Sequence, residues 1–259
     1  MRQIEVFYHV LIPSDIRACH WPWLIDLQLS LIRDSQLSSI AKINMAITMP
    51  KHWAFIHSPS LTFRKNKEIT AEISFESKVR EYINLRYPFV DILDIRDSGE
   101  PNLCEGQTLK LLWDRCNEVD IDIDVLYIHG KGVISSSAPV ANWRDILNHY
   151  FITKWPQAVV NLSHSDVVGI RDATPETEKL MTSGNFWWSK SSHIRTLPDP
   201  IQSQHYMSDP IFHPGGPSYR WAMEYWVRLN NPSFHCLVDT KTCHFDDYCF
   251  LEDLLKLNP

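Results

Sequence analysis

The chain has 259 residues, 44% of them hydrophobic and 12% aromatic, which is enough for the core of one sizeable domain spanning residues 1–259. A net charge of −6 and a pI near 6.0 argue against the broad basic surface that duplex nucleic acid requires, so no nucleic-acid partner is expected. No apolar run approaches the roughly 18 to 20 residues of a transmembrane segment, and no signal-peptide pattern opens the chain, so we expect a soluble, cytoplasmic protein.

Strand and helix patterns alternate along the first part of the chain. A mostly apolar run at residues 4–12 predicts a central strand, and apolar residues then recur at helical spacing over residues 23–32. Residues 43–49 alternate between two faces and predict a second strand. The same alternation at residues 69–75 predicts another strand, which is followed by a helical period at residues 79–87.

Three further elements complete this half. Residues 90–95 predict a strand, residues 108–119 a helix with one apolar face, and residues 125–128 a buried strand. Strands that alternate with helices indicate a three-layer α/β architecture with a mostly parallel sheet, because parallel neighbours need a crossover connection between them. The pattern is typical of nucleotide-binding folds.

The second half begins with a helix for which we expect Asn142 as the N-cap and Asp145 in the first turn. A short strand is predicted at residues 167–170. The last predicted elements are a helix at residues 220–229 and a strand at residues 234–238.

The strand at residues 125–128 ends in a segment that is rich in functional side chains. His129, Gly130, Lys131 and Gly132 follow it directly. In an open α/β sheet ligands bind outside the carboxyl ends of the strands, where glycine lets the backbone approach and lysine can meet phosphate charge. We therefore predict that this segment is the floor of an active site.

Three other patterns resemble functional motifs but do not meet the requirements of those motifs. The glycines of this segment do not make a dinucleotide-binding motif, because residues 135–139 read as a loop where that motif requires a helix. The aspartates of residues 120–124 precede the strand, so we interpret them as a solvated turn. The histidines and cysteines of residues 235–249 fit no common zinc spacing, so no metal ligands are predicted.

Four motifs occur in an order that resembles a group of bacterial and large-DNA-virus glycosyltransferases. They are Tyr127-Ile128-His129-Gly130-Lys131-Gly132, Trp143-Arg144-Asp145, Gly184-Asn185-Phe186-Trp187-Trp188, and Arg220 with Glu224-Tyr225-Trp226. The strongest resemblance is to the chlorella-virus xylosyltransferases that act on the capsid-protein glycan, and it covers residues 90–230. It implies a GT-A-like, Rossmann-like fold with a nucleotide-binding half at residues 1–133 and an acceptor-binding half at residues 134–259.

The resemblance also implies the reaction. The expected activity is transfer of a sugar, with UDP-xylose as the donor, onto a glycan of a glycoprotein with inversion, in the host cytoplasm if the protein is viral. The donor-binding candidates are Tyr8, His9, His129, Gly130, Lys131 and Gly132. Many GT-A enzymes hold Mn²⁺ or Mg²⁺ through an Asp-X-Asp motif, but His129 and Lys131 stand at that strand end here. A cofactor is therefore not required, although either metal stays open.

The acceptor-binding candidates are Arg144, Asn185, Trp187 and Trp188. Indole faces stack on the C–H surfaces of sugars and the indole N–H donates a hydrogen bond, so we expect at least one of the two tryptophans to face the site. The alternative is that they are core residues of a strand. Arg144 contacts either substrate in this interpretation.

An inverting transfer needs a carboxylate that takes the proton of the acceptor hydroxyl. Glu224 and Asp209 are the candidates. The alternative for Glu224 is an ion-pair stripe with Arg220 and Arg228 at helical spacing, and the alternative for Asp209 is a turn residue. A different class of protein, a carbohydrate-binding module without catalysis, remains as the rival hypothesis, and it has no use for UDP.

Overall fold

The structure is a computed structural model. It describes residues 2–13, 21–49, 75–97, 105–130, 133, 137–170, 182–202 and 219–238. Within these stretches no helix has the length and apolar character needed to cross a bilayer. Several predicted features lie outside the described residues: most of the strand predicted at residues 69–75, and the site candidates Lys131, Gly132 and Asp209.

The described residues contain a seven-stranded mixed sheet. Its strands are β1 Gln3–Leu11, β2 Ala41–Met49, β3 Val90–Asp97, β4 Ile123–His129, β5 Val167–Gly169, β6 Trp187–Lys190 and β7 Phe234–Cys236. Their order is β3-β2-β1-β4-β6-β5-β7. β6 runs antiparallel to both of its neighbours, β4 and β5, and the other pairs of adjacent strands are parallel. The predicted α/β class with a mostly parallel sheet is confirmed.

Helices cover both faces of this sheet. They are α1 Trp21–Asp34, α2 Phe75–Arg86, α3 Gly106–Glu118, α4 Ala138–Asn148, α5 Trp155–Leu162, α6 Ser191–Ile194 and α7 Tyr219–Trp226. A π-helical turn at His149–Thr153 continues α4. The order β3-β2-β1-β4 is that of a doubly wound nucleotide-binding sheet, in which the connections change direction beside β1.

The core is divided by the sheet into two apolar clusters. Val6 and Tyr8 of β1 pack in the cluster that contains α1, α2 and α4. Phe7, one position away, packs with Leu109 and Leu112 of α3 in the other cluster. Because successive side chains of a strand point to opposite faces, the near-continuous apolar runs of β1 and β4 are explained by burial on both sides.

Two of the predicted element boundaries are wrong. Phe75 was predicted to end a strand but begins α2. Asn142 was predicted to cap a helix but lies inside α4, which starts at Ala138 after an extended Ser137. Pro139 explains the earlier start, since proline has no N–H to satisfy and its fixed φ suits the first helical turn. Asp145 therefore lies in the middle of the helix.

The aspartates before β4 are only partly the solvated turn that was predicted. Asp122 is exposed and pairs with Arg195, but Asp124 belongs to β4, is buried, and lies 3.1 Å from the Arg2 guanidinium. They lie at the amino end of β4, as predicted.

An ion pair joins Arg115 of α3, whose side chain is 36% exposed, to Glu5 in the first half of β1. Glu5 is fully buried, and its carboxylate accepts hydrogen bonds from Arg115 at 2.8 and 3.0 Å and from the Asn44 amide at 3.2 Å. Removing one partner of such a pair leaves a buried charge without compensation.

We expect Arg115→Met to lower the free energy of unfolding by about 3 kcal/mol, because Glu5 would lose its cation inside the protein. Arg80→Met is the matched control, since Arg80 pairs with Glu76 at 2.9 Å on the exposed surface of α2. The control should lower the free energy by less than about 1 kcal/mol. Urea unfolding measures both variants, and equal effects would contradict the assigned role of Glu5.

Candidate active site

The candidate site lies where β1 and β4 end side by side. His9 and His129 are register partners in this parallel pair, and the Gly130 amide donates a hydrogen bond to the His9 carbonyl at 2.9 Å. The sheet changes its winding direction between these two strands, and the crevice outside their carboxyl ends is the place where such sheets bind ligands. Two histidines and a glycine backbone therefore meet at the expected binding crevice.

His9 is a neutral polar group at this edge. It is buried, and its Nδ1 lies 2.9 Å from the hydroxyl of Thr108 on α3. Burial is the main reason that the pKa of His9 falls to about 4; Glu105 opposes this shift, and the neighbouring His129 adds to it. At neutral pH His9 can position a ligand through a hydrogen bond but carries no charge.

His129 is held between two acceptor atoms. Its Nε2 donates a hydrogen bond to the Gly184 carbonyl at 2.8 Å, and its Nδ1 lies 3.5 Å from Oε1 of Glu105. The Gly184 carbonyl can only accept, so Nε2 carries a proton in this contact. Both ring nitrogens of His129 therefore lie next to acceptor atoms of the protein, which fixes the orientation of the ring.

Glu105 was missed by sequence reasoning, although it connects most of this site. Besides His129, its carboxylate accepts hydrogen bonds from the Asn185 amide and from the Tyr127 hydroxyl, the latter at 3.3 Å. Glu105 directly precedes α3, and no spacing in the sequence relates it to β4 or to Asn185. Its only sequence signal is a carboxylate next to a helix start.

The turn before β6 has an unusual backbone. Gly184 and Asn185 both have positive φ, at 75° and 50°. A Cβ atom on Gly184 would lie 2.7 Å from the Leu147 side chain and 2.8 Å from the Trp143 indole, so only glycine fits there. Asn185 is fully buried in a conformation that non-glycine residues rarely adopt, and such conformations concentrate at functional sites.

The two tryptophans do not provide the open stacking surface that was predicted. Both are fully buried. The Trp187 indole stacks on Tyr127 with 5.3 Å between centroids and donates a hydrogen bond to Asn185 at 3.0 Å, whereas the Trp188 indole donates to the Phe151 carbonyl at 3.1 Å. Trp187 and Trp188 pack in different apolar clusters, one on each side of the sheet, so both faces of β6 are covered. Trp187 supports Asn185, and Trp188 belongs to the core.

Tyr8 is also a correction. It is fully buried on the side of the sheet opposite to His9, and its hydroxyl donates to Gln28 of α1 at 2.6 Å. The Gln28 amide donates in turn to the His129 carbonyl at 3.2 Å and to Asn148 at 3.1 Å. Burial raises the pKa of Tyr8, so its hydroxyl stays protonated. Tyr8 supports the end of β4 from below and does not face the crevice.

Glu224 lies close to the turn before β6. Its carbonyl accepts hydrogen bonds from the Thr182 amide at 3.1 Å and from the Thr182 hydroxyl at 3.2 Å, and the residue is 6% exposed. Arg228 is also buried, with its guanidinium 3.6 Å from the centroid of the Phe234 ring. Glu224 and Arg228 are therefore buried and not on an exposed face of α7. The side chain of Arg220 lies outside the described residues, so the ion-pair alternative for Glu224 stays a prediction.

Arg144 points away from solvent, although it is charged. It is 5% exposed, and its guanidinium lies over the Trp23 indole with 4.8 Å to the ring centroid. Among the residues that the structure describes, no group of three or more histidine, cysteine, aspartate or glutamate side chains is arranged to hold a metal ion.

Fold and site together define an α/β protein with a mixed sheet whose switch point, between β1 and β4, carries His9 and His129. A family model described as a domain of unknown function, DUF8361, matches residues 95–235, and the chain belongs to this family. The matched segment includes β4, the turn at Gly184 and Asn185, and α7. The comparison with curated proteins found no match.

Substitution by alanine should affect stability very differently at the two glycines of the site. Gly184→Ala should lower the free energy of unfolding by at least about 2 kcal/mol, because it adds a left-handed alanine and two clashes below 3.0 Å. Gly130→Ala should change it by less than about 0.5 kcal/mol, since its Cβ would lie 3.4 Å from Leu24 in ordinary contact. Chemical denaturation of both variants measures the difference, and a Gly184→Ala protein as stable as wild type would contradict the turn geometry.

Proposed function

We propose that the chain is a glycosyltransferase with a GT-A-like fold, which transfers a sugar from a UDP-sugar to a glycan of a glycoprotein. The observation that carries this proposal is the pairing of His9 and His129 at the switch point, where sheets of this order bind ligands. A nucleotide diphosphate needs hydrogen-bond donors and positive charge at such an edge, and Lys131 follows directly in sequence. UDP-xylose is the expected donor, on the resemblance of the sequence motifs.

The donor is proposed to bind along the carboxyl ends of β1 and β4. Lys131 supplies charge toward the diphosphate, and His129, held by Glu105 and the Gly184 carbonyl, precedes it in sequence and orients the end of β4. His9 supplies a neutral hydrogen-bonding group. The aspartates before β4 lie at the opposite end of that strand and pair with Arg2 and Arg195, so they do not replace an Asp-X-Asp motif at the donor.

In the proposed inverting step the acceptor oxygen attacks the anomeric carbon while the bond from that carbon to the diphosphate oxygen breaks. A carboxylate takes the hydroxyl proton, and UDP leaves. Glu224 is the proposed base, because Thr182 ties its helix to the turn that carries Gly184 and Asn185. Asp209 is the alternative base.

The rival hypothesis, a carbohydrate-binding module, depends on an aromatic surface that is open to sugar. Trp187 and Trp188 were its best candidates, and both are fully buried. Their burial favours the transferase, because the polar groups at the carboxyl edge suit a charged nucleotide better than an uncharged sugar alone.

The first test is nucleotide binding. Saturating UDP-xylose should stabilise the protein by roughly 2.7 kcal/mol at 100 times its dissociation constant, and EDTA should not abolish this effect. Lys131→Ala should weaken UDP binding without changing the melting temperature of the free protein. A thermal-shift screen of nucleotide sugars with and without Mn²⁺ measures both. Failure of every nucleotide to stabilise the protein would contradict the transferase, and dependence on Mn²⁺ would place a metal at the donor.

The second test concerns the base. Glu224→Gln should reduce sugar transfer by roughly 10²- to 10⁴-fold while UDP affinity changes little, because glutamine keeps the volume but cannot accept the proton. Glu81→Gln on the exposed side of α2 is the matched control and should transfer at the wild-type rate. Rates are compared at saturating donor and acceptor. Near-normal transfer by Glu224→Gln would assign the role to Asp209.

A further inference from the structure

Arg144 of α4 is a buried cation with unusually little compensation. It is 5% exposed, its Nε is buried without a hydrogen-bond partner, and the structure gives its guanidinium no hydrogen bond among the residues it describes. The nearest carboxylate oxygen, of Asp145, is 3.7 Å away and belongs to a side chain that is 52% exposed. Buried charges in proteins are normally paired and hydrogen-bonded, so this guanidinium requires an explanation.

A second stacked arginine of the described residues, Arg86, is different. The Arg86 guanidinium lies 4.7 Å from the centroid of the Tyr82 ring, yet it also donates a hydrogen bond to Asp26 at 3.2 Å and is 57% exposed. The charge of Arg86 is thus compensated by solvent and by the Asp26 carboxylate. Arg144 has the aromatic contact but lacks a hydrogen-bonded anion.

The indole of Trp23 fixes the orientation of Arg144. The Trp23 ring covers one face of the guanidinium. Trp23 itself is 52% exposed, so the pair lies near the protein surface. A guanidinium presents its N–H groups at its edge, in a fork that matches the two oxygens of a phosphate or carboxylate. Stacking on one face leaves this edge as the recognition element.

The pair adjoins the crevice between β1 and β4. Trp23 precedes Leu24, whose side chain would contact a Cβ on Gly130 at 3.4 Å. Arg144 follows Trp143, whose indole nitrogen would be 2.8 Å from a Cβ on Gly184. The neighbours of both residues therefore pack directly on the two glycines of the candidate site.

We propose that Arg144, stacked on Trp23, is an oxyanion-binding subsite at the edge of this crevice. The ligand group is a phosphate or a carboxylate, which supplies the hydrogen-bonded anion that the buried guanidinium lacks. The inference deepens the proposed function and rests on it only for the source of the anion, which is either the diphosphate of the donor or the carboxylate of an acidic acceptor sugar.

Titration calorimetry at low ionic strength tests the subsite with two anions and their neutral counterparts. The probes are UDP with uridine, and D-glucuronate with D-xylose. Arg144→Met keeps the buried aliphatic stem and removes the charge, whereas Arg86→Met is the control that removes a stacked arginine elsewhere. We expect Arg144→Met to bind at least one anion about tenfold or more weakly than wild type, with its neutral counterpart unchanged. Arg86→Met should match wild type.

The outcome identifies the source of the anion. A loss confined to UDP assigns Arg144 to the donor diphosphate, and a loss confined to D-glucuronate assigns it to an acidic acceptor. If wild type binds D-glucuronate through Arg144 but does not bind UDP, the subsite stands and the proposed transferase fails. If Arg144→Met binds every anion as wild type does, the subsite is overturned, and UDP binding by wild type still supports the transferase. If wild type binds neither anion, the subsite and the proposed transferase are both overturned.

Thermal unfolding without ligand checks the fold of each variant. If Arg144→Met does not fold, Arg144→Lys replaces it, because lysine keeps the charge but lacks the planar fork. Weaker anion binding by Arg144→Lys with an unchanged melting temperature supports the subsite. Anion affinity equal to that of wild type in Arg144→Lys overturns it.

Discussion

The carboxylate of Glu105 is the contact on which the geometry of the candidate site depends. It lies before α3 and reaches His129 at the end of β4, Asn185 in the turn before β6, and the Tyr127 hydroxyl. These groups come from distant parts of the chain, and the carboxylate gives them one common acceptor. Donors that share one acceptor lose independent freedom, so the positions of the imidazole and of the turn before β6 are coupled.

The local patterns of the sequence predicted the parallel half of the sheet well. Period-two alternation and continuous apolar runs identify β1, β2, β3 and β4, because burial on one or both faces requires apolar side chains at those positions. No such pattern indicates the position of β6 in the sheet. Its antiparallel pairing with β4 joins residues about 60 apart in sequence, and no local propensity encodes which partner a strand will choose.

Within the site, the sequence indicated which residues lie at the strand ends, but not to which face of the sheet each side chain points. His129 and Gly130 follow from the end of a buried strand, but Tyr8 and His9 are neighbours in β1 and must point to opposite faces. Tyr8 shares its face with Val6 and Val10, so its burial could have been inferred from that periodicity. The role of Glu105 could not have been inferred from the sequence, because it depends on where α3 places this residue relative to β4.

The reversed direction of β6 has an effect on how the crevice is enclosed. The parallel strands deliver the residues that follow them to this edge, whereas an antiparallel strand delivers the residues that precede it, here Gly184 and Asn185. Gly184 and Asn185 thus form one side of this edge from a segment that enters β6, and that segment is connected to β5. A change in the length of that connection would act on the turn at Gly184 and Asn185 while His9 and His129 keep their register, so the two sides of this edge can change independently.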